Sequence, residues 1–345
     1  MPDTNQNSGQ VCGLADFSNY PYRFDIPNRQ LNLLSVPADC FRDAAFHDTR
    51  LEEYAQGQTK IPLARVEEWS KSIDLAEPRY IFHHAFTMST LLGRIMDVPE
   101  LTVSYREPLL LTELAAVELF SPDVFASERG REVFETLLST LRRTDANDKI
   151  PIIKACDSVT NCIDLILQLQ PQAKGILMFS DLSTFIVSCL KVPGRRSFAR
   201  SRAEIFHLMR PNILGSQGVS NLNDHLVVAF LWYVQMTEFR HLFVKNKDQL
   251  IPMYCEDLFE REESVLNMLH KWSGISEQIL AKNVQAVLHK GTHSKSGRTY
   301  DHGDRSKELS HKKEKFRPEI LEAMVWLNRL DKSDWFTAPK ELFSS

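Results

Sequence analysis

The sequence lacks the marks of a membrane-embedded or polyanion-binding protein. No stretch approaches the roughly 18 consecutive apolar residues that span a bilayer, so we expect no membrane span. The formal net charge is −4 at pH 7, which gives no overall positive field to favour nucleic acid. The first ten residues carry no apolar core, and we therefore expect no secretory signal and a cytoplasmic location.

Cysteine and histidine do not form a metal-binding pattern. The six cysteines are scattered without a Cys-x-x-Cys pair, and the histidines do not stand at zinc-ligand spacing around them. We expect reduced thiols and no metal site. The chain also lacks Gly-x-x-x-x-Gly-Lys-Ser/Thr, the loop with which nucleotide-dependent phosphotransferases hold phosphate.

What the sequence does contain is an alternation of short apolar runs with helical patterns. This alternation predicts βαβ units, and therefore an α/β fold with three αβα layers around a central, mainly parallel sheet. Pro252 favours an edge position or a bulge for the last strand, because proline cannot donate to a neighbouring strand. The predicted strands are Arg79–His83, Leu101–Tyr105, Lys149–Lys154, Gly175–Phe179 and Gln249–Tyr254.

Composition divides the chain into a short arm and one large domain. Residues 1–35 are rich in Asn, Gln, Ser, Asp and Pro, which predicts a flexible N-terminal arm. Residues 36–345 are predicted to form a single α/β domain with a helix-rich C-terminal half. In that half the polar run 290–315 predicts a loop. Aromatic residues over 195–245 indicate either an apolar pocket or a core at helical spacing.

The turn after the first predicted strand of this sheet is rich in hydroxyl groups. It runs from His84 to Leu92 and carries Thr87, Ser89 and Thr90 at the start of a predicted helix. Backbone N–H groups at a helix start, together with such hydroxyls, bind anions well. The segment therefore indicates a phosphate site, the alternative being an ordinary N-capped helix.

This turn resembles the phosphosulfate-binding loop of sulfotransferases that use 3′-phosphoadenylyl sulfate (PAPS) and have a P-loop-like fold. The resemblance is to a divergent, bacterial-type branch and extends over residues 78–300, with Lys154 at the matching strand end and Ser188 eight residues after Ser180. It implies a 3′-phosphate site at Ser180, Ser188, Lys295 and Arg298. The positions that it assigns to the 5′ end of PAPS are Ala85, Phe86, Thr87, Met88, Ser89 and Thr90.

Three positions depart from the family pattern. Phe86 stands where relatives carry Lys or Arg, and Ser180 stands where they carry Arg. Met88 replaces a glycine, which predicts an ordinary backbone geometry there. If the site is active, its positive charge has to come from Lys154, Arg94 or the late basic loop.

The resemblance also implies catalytic roles. Lys154 would stabilise the bridging oxygen of PAPS, and Glu107 would take the proton of the acceptor, with His83 and His84 as alternative bases. For Glu107 the structural alternative is a carboxylate placed at a helix N-terminus, where the helix dipole favours it. For the two histidines it is simple packing at a strand end.

We therefore expect a sulfotransferase that moves a sulfuryl group from PAPS to a hydroxyl, or less readily an amine, of a small-molecule acceptor. PAPS is the expected co-substrate, and neither nucleic acid nor a metal is an expected partner. Two alternatives stay open, a nucleotide-dependent phosphotransferase and a catalytically degenerate binding or regulatory protein of the same fold. The losses at Phe86, Met88 and Ser180 favour the second alternative. The sequence does not indicate an oligomeric state.

Overall fold

The computed structural model describes residues 12–146, 148–215, 218–289, 302–332 and 334–343. Within these ranges two sheets and a series of helices are formed. The strands are β1 (Asn19–Asp25), β2 (Gln30–Ser35), β3 (Gly57–Pro62), β4 (Arg79–His83), β5 (Thr102–Arg106), β6 (Ile150–Lys154), β7 (Lys174–Phe179) and β8 (Leu250–Tyr254).

Helices connect and cover these strands. In the N-terminal half they are α1 (Cys12–Ala15), α2 (Ala38–Asp43), α3 (Leu63–Ser72), α4 (Ser89–Ile95), α5 (Leu109–Phe120), α6 (Asp123–Ala126), α7 (Glu128–Thr140) and α8 (Ile163–Leu169). In the C-terminal half they are α9 (Leu182–Leu190), α10 (Pro193–Met209), α11 (Asp224–Lys245), α12 (Asp257–Glu260), α13 (Glu262–Ser273), α14 (Glu277–His289), α15 (His302–Lys315) and α16 (Arg317–Leu330). Short 3₁₀ segments cover Thr49–Tyr54, Asp157–Cys162, Asp334–Thr337 and Pro339–Phe343.

The larger sheet has the order β5-β6-β4-β7-β8, and each neighbouring pair is parallel. Side chains alternate along β4, so that Ile81 packs with α4, α13 and α14 while Tyr80 and Phe82 face the core beneath α5, α9 and α11. Helices on both faces of a parallel sheet confirm the predicted three-layer α/β fold. Strand β8, with Pro252, lies at the sheet edge as predicted.

The N-terminal segment differs from its prediction. Residues 19–35 form the hairpin of β1 and β2, which joins β3 in an antiparallel sheet. Leu31 and Leu33 are completely buried, and the ring of Tyr20 stacks against that of Tyr105 with centroids 6.1 Å apart. Residues 19–35 thus differ from the predicted flexible arm, because Tyr20, Tyr22, Leu31 and Leu33 contribute to the core. The single-domain assignment stays a prediction, and residues 1–11 lie outside the described residues.

The polar run 290–315 also differs in part. Its end forms α15, in which Glu308 and Lys312 make an ion pair one helical turn apart. Regularly spaced charges and the one apolar side chain, Leu309, which packs against the core, support this helix, and composition alone therefore misidentified residues 302–315 as loop. Lys295 and Arg298, which were assigned to the 3′-phosphate site, lie outside the described residues.

In the described ranges no helix has both the length and the apolarity to cross a membrane.

Candidate functional site

Three neighbouring strands bring the candidate residues to one edge of the larger sheet. Strands β5, β6 and β4 are adjacent and parallel, so that their carboxyl ends meet at that edge. His83 ends β4, Glu107 directly follows β5, and Lys154 ends β6. The predicted catalytic lysine and carboxylate are thus placed beside the turn that begins at His84.

The turn between β4 and α4 has a left-handed backbone at two positions. Phe86 has φ +65° and Met88 has φ +64°. The ordinary geometry predicted for Met88 is therefore wrong, since the side chain occupies the conformation that glycine adopts freely. A non-glycine residue held there costs on the order of 1 kcal/mol. Turns of this kind gather successive N–H groups on one concave side, where they can bind an anion.

Among the described residues, the amides of this turn have no hydrogen-bond acceptor. In the described part of the chain, no backbone or side-chain acceptor bonds the N–H groups of residues 85–90. The hydroxyls of Ser89 and Thr90 likewise have no partner among the described residues, although both side chains are almost buried. Thr87 differs, because its hydroxyl donates to His84 O at 3.0 Å and closes the turn. A row of donors without a described protein partner at a helix start can bind a negatively charged oxygen group.

Lys154 and Glu107 form a buried ion pair next to the turn. The ammonium of Lys154, whose side chain is 1% exposed, donates to Glu107 Oε1. Its stem passes over Gly93 of α4, where an added Cβ would lie 3.5 Å from Lys154 Cδ. Glu107 has φ +56°, and its N–H donates to Lys154 O, which fixes the carboxylate at the end of β5. A buried ammonium needs such a partner, because its desolvation is costly.

The two histidines of the turn have different surroundings. His84 Nε2 accepts from Ser180 N–H at 2.8 Å, and Nδ1 lies 3.0 Å from Ala85 O. Burial lowers the pKa of His84 to about 4, so the ring is neutral and joins the ends of β4 and β7. His83 Nε2, by contrast, lies 3.8 Å from Glu107 Oε1. Of these two candidate bases, the structure places His83, and not His84, beside the carboxylate.

A second group of charges follows β6. Asp157 Oδ1 accepts from the thiol of Cys156 at 3.2 Å and lies 3.4 Å from Arg202 Nη2. Burial raises the pKa of Cys156 to about 12, with a further contribution from the carboxylate of Asp157. The thiol is thus protonated at neutral pH and is a poor nucleophile. Sequence reasoning missed Asp157 and Arg202.

The predicted 3′-phosphate residues are only partly brought together. The side chain of Ser180 is 1% exposed, and its carbonyl accepts from Trp232 Nε1 at 2.9 Å. Its hydroxyl donates to Asp181 O at 3.3 Å and lies 3.5 Å from His84 Nε2, so the side chain bonds within the protein. Ser188, on α9, is half-buried, and its carbonyl accepts from Arg195 Nη1 at 3.0 Å. Asp181 caps α9, since its side chain accepts from Thr184 N–H.

Helix α10 brings arginine and phenylalanine to the turn. Arg195 Cζ lies 4.7 Å from the ring centroid of Phe86, and the ring of Phe198 is 5.8 Å from that of Phe86. Arg202 Cζ lies 5.3 Å from the ring centroid of Phe198. The signal in the sequence is the spacing of residues 195, 198 and 202, which share one helix face. Arg94, a predicted source of charge, instead donates to the carbonyls of residues 42 and 43.

Two further observations concern a metal site and a separate cavity. Among the described residues, no cluster of three or more His, Cys, Asp or Glu side chains is arranged to hold a metal ion. A separate cavity of about 270 Å³ lies between α3 and α7 and includes Lys71, Arg129 and Arg142 but no strand-end residue. Arg129 there pairs with Glu67, and Arg142 donates to main-chain carbonyls, so these charges are satisfied locally.

Comparison with known structures finds several similar solved proteins. No family model and no curated protein matches the chain. The chain is similar to a solved sulfotransferase domain from the curacin biosynthetic pathway, at 14% identity and a TM-score of 0.40, over 74% of this chain and 99% of that one. It is also similar to a sulfotransferase from Mycobacterium tuberculosis, at 11% identity and a TM-score of 0.38, over 72% of this chain and 82% of that one.

Proposed function

We propose that this protein is a sulfotransferase that moves a sulfuryl group from PAPS to a hydroxyl, or less readily an amine, of a small-molecule acceptor. The observation that carries the proposal is the row of unused amides at residues 85–90, next to the buried pair of Lys154 and Glu107. This donor set fits a phosphosulfate, because it offers N–H and hydroxyl donors to one end and an ammonium to the leaving oxygen.

Binding would be divided between two parts of the site. The turn amides, with the hydroxyls of Ser89 and Thr90, would hold the 5′ end of PAPS. Ser188 is the described residue that we assign to the 3′-phosphate, and Lys295 and Arg298 are its proposed cationic partners. Ser180 is left out of this assignment, because its hydroxyl already donates to Asp181 O.

The chemistry requires a proton acceptor and a cation at the leaving oxygen. When bound, PAPS supplies the sulfuryl group, whose transfer breaks the bond from sulfur to the bridging oxygen and forms a bond from sulfur to the acceptor oxygen. Glu107 would take the proton of the acceptor hydroxyl. Lys154 would stabilise the negative charge that collects on the departing phosphate oxygen.

A catalytically inactive binding protein is the second candidate, and Phe86 is the observation that favours it. An aromatic ring at this position leaves the turn without a cation of its own. Such a protein would still bind the adenosine 3′,5′-bisphosphate product (PAP), but it would not transfer sulfate. A phosphotransferase is disfavoured, because the chain has no Gly-x-x-x-x-Gly-Lys-Ser/Thr loop.

Thermal unfolding in the presence of nucleotides separates these functions. Ligand at 100 times its Kd stabilises the folded protein by about 2.7 kcal/mol, which raises the Tm measurably. We expect PAP to raise the Tm and ATP to leave it unchanged. Preferential stabilisation by ATP would favour the phosphotransferase, and no response to either nucleotide would rule out the proposed donor site. Release of PAP from PAPS with a panel of alcohols and phenols then separates the enzyme from the inactive binder.

A further inference from the structure

One face of α10 lies against the phosphate-binding turn. Arg195, Phe198 and Arg202 occupy positions i, i+3 and i+7 of this helix, which places them on that face. Phe198 contacts Phe86 edge-on, with ring centroids 5.8 Å apart, and Arg195 Cζ lies 4.7 Å from the Phe86 ring centroid. Phe86, which stands where relatives carry Lys or Arg, thus has the guanidinium of Arg195 packed over its ring.

The guanidinium of Arg195 makes one hydrogen bond to the described residues. Its Nη1 donates to Ser188 O at 3.0 Å, and in the described part of the chain no other acceptor bonds it. Burial lowers the pKa of Arg195, while the carboxylate of Glu308 on α15 acts in the opposite direction. A half-buried guanidinium with unused N–H groups gains most from an anionic ligand, because fork-like donors bind phosphate and sulfate oxygens in pairs.

We propose that Arg195 supplies the cation of the 5′-phosphosulfate site, acting from α10 in place of a basic residue in the turn. This inference rests on the proposed function. Phe86 then serves as a platform, because an aromatic face attracts and orients a guanidinium. The helix thereby supplies the charge that Phe86 cannot, and residues 85–90 supply the amides.

The role of Arg195 can be assigned to one end of the donor with two nucleotides. PAP carries both phosphate groups, whereas adenosine 5′-phosphosulfate lacks the 3′-phosphate. We expect Arg195→Met to raise the Kd of both ligands by a similar factor of about tenfold or more, as measured by calorimetric titration. A tenfold rise corresponds to about 1.4 kcal/mol of binding free energy. A loss confined to PAP would place Arg195 at the 3′-phosphate and overturn the proposal.

Arg196→Met is the matched control for this measurement. Arg196 is the next residue of the same helix, is exposed, and donates through Nε to Leu190 O at 2.8 Å. Its replacement removes the same charge while leaving the contact with Phe86 in place. We expect less than a twofold change in either Kd. Equal losses in the two variants would mean that α10 acts only through its overall charge, and this result would also overturn the proposal.

A rescue experiment tests the replacement directly. Adding Phe86→Lys to Arg195→Met puts a cation back into the turn, and we expect most of the lost affinity for adenosine 5′-phosphosulfate to return. No recovery, with unfolding transitions unchanged, would contradict the assignment. If the wild-type protein binds neither nucleotide, the proposed function itself fails. If it binds both and Arg195→Met binds them equally well, only the role of Arg195 fails.

Discussion

At the scale of single residues, the site depends on side chains held in unfavourable states. Lys154 keeps a charge in the interior, and Glu107 and Met88 keep left-handed backbones. Each state costs free energy, and each is maintained by neighbours that the strand ends bring together. The proposed chemistry explains why such arrangements occur at one edge of the sheet.

Glu107→Gln tests the proposed base. Glutamine keeps an oxygen for the ammonium of Lys154 but cannot take a proton, so we expect kcat to fall by about 10²–10⁴. The affinity for PAP should stay within about threefold, since the carboxylate does not hold the nucleotide in this scheme. Steady-state kinetics and calorimetry provide the two values. Glu113→Gln, which breaks the pair of half-buried Glu113 with exposed Arg23, is the control. Unchanged kcat in Glu107→Gln would remove Glu107 from the reaction.

Met88 provides a test of the turn geometry. A β-branched residue is poorly tolerated at φ +64°. Met88→Val should therefore lower the free energy of unfolding by about 1–2 kcal/mol and weaken the binding of PAP. Leu91→Val, in the right-handed first turn of α4, should cost less than half as much. Urea unfolding monitored by circular dichroism measures both. Equal losses would show that the left-handed turn is not what Met88→Val disturbs.

At the scale of elements, local patterns predicted some segments and not others. The bounds of β4 match the predicted Arg79–His83, because a short apolar run ended by a turn has few alternatives. The hairpin of β1 and β2 was missed, because its alternating Tyr and Leu residues stand among many polar ones. Lys154 and Glu107 were predicted from the resemblance, and their catalytic roles stay predictions. Arg195 was not, because its contact with Phe86 depends on how α10 packs.

The N-terminal hairpin is expected to be part of the folded core. Leu31 is fully buried on β2, so Leu31→Ala should lower the free energy of unfolding by about 2–4 kcal/mol. Ile26→Ala, at the exposed turn between β1 and β2, should change it by less than about 0.5 kcal/mol. Urea titrations followed by tryptophan fluorescence compare the two. A flexible arm would predict small and equal effects.

At the scale of the whole molecule, two buried histidines connect stability to pH. Burial lowers the pKa of His47 to about 3 and that of His84 to about 4, from the ordinary value of 6.5. Between about pH 6.5 and 4 the unfolded chain therefore binds protons that the folded chain does not. The free energy of unfolding must fall as the pH falls through this range.

We expect each histidine to contribute a loss on the order of 1–2 kcal/mol between pH 7.5 and pH 5. Urea unfolding at the two pH values measures the total loss of unfolding free energy. His84→Gln isolates the contribution of His84, because glutamine does not titrate. The variant should lose less stability than the wild type on acidification, whatever its stability at pH 7.5. An identical loss in both proteins would contradict a buried, neutral His84.

The central claim is that residues 85–90 bind the 5′ end of a PAPS-type nucleotide. Calorimetric titration of PAP into the wild type and into the Ser89→Ala/Thr90→Ala double variant tests it most directly. Each hydroxyl bond to a charged group contributes about 1.5 kcal/mol or more, so the double variant should bind PAP at least about 100-fold more weakly. An unchanged Kd for PAP in the double variant, or no binding by the wild type, would contradict the account.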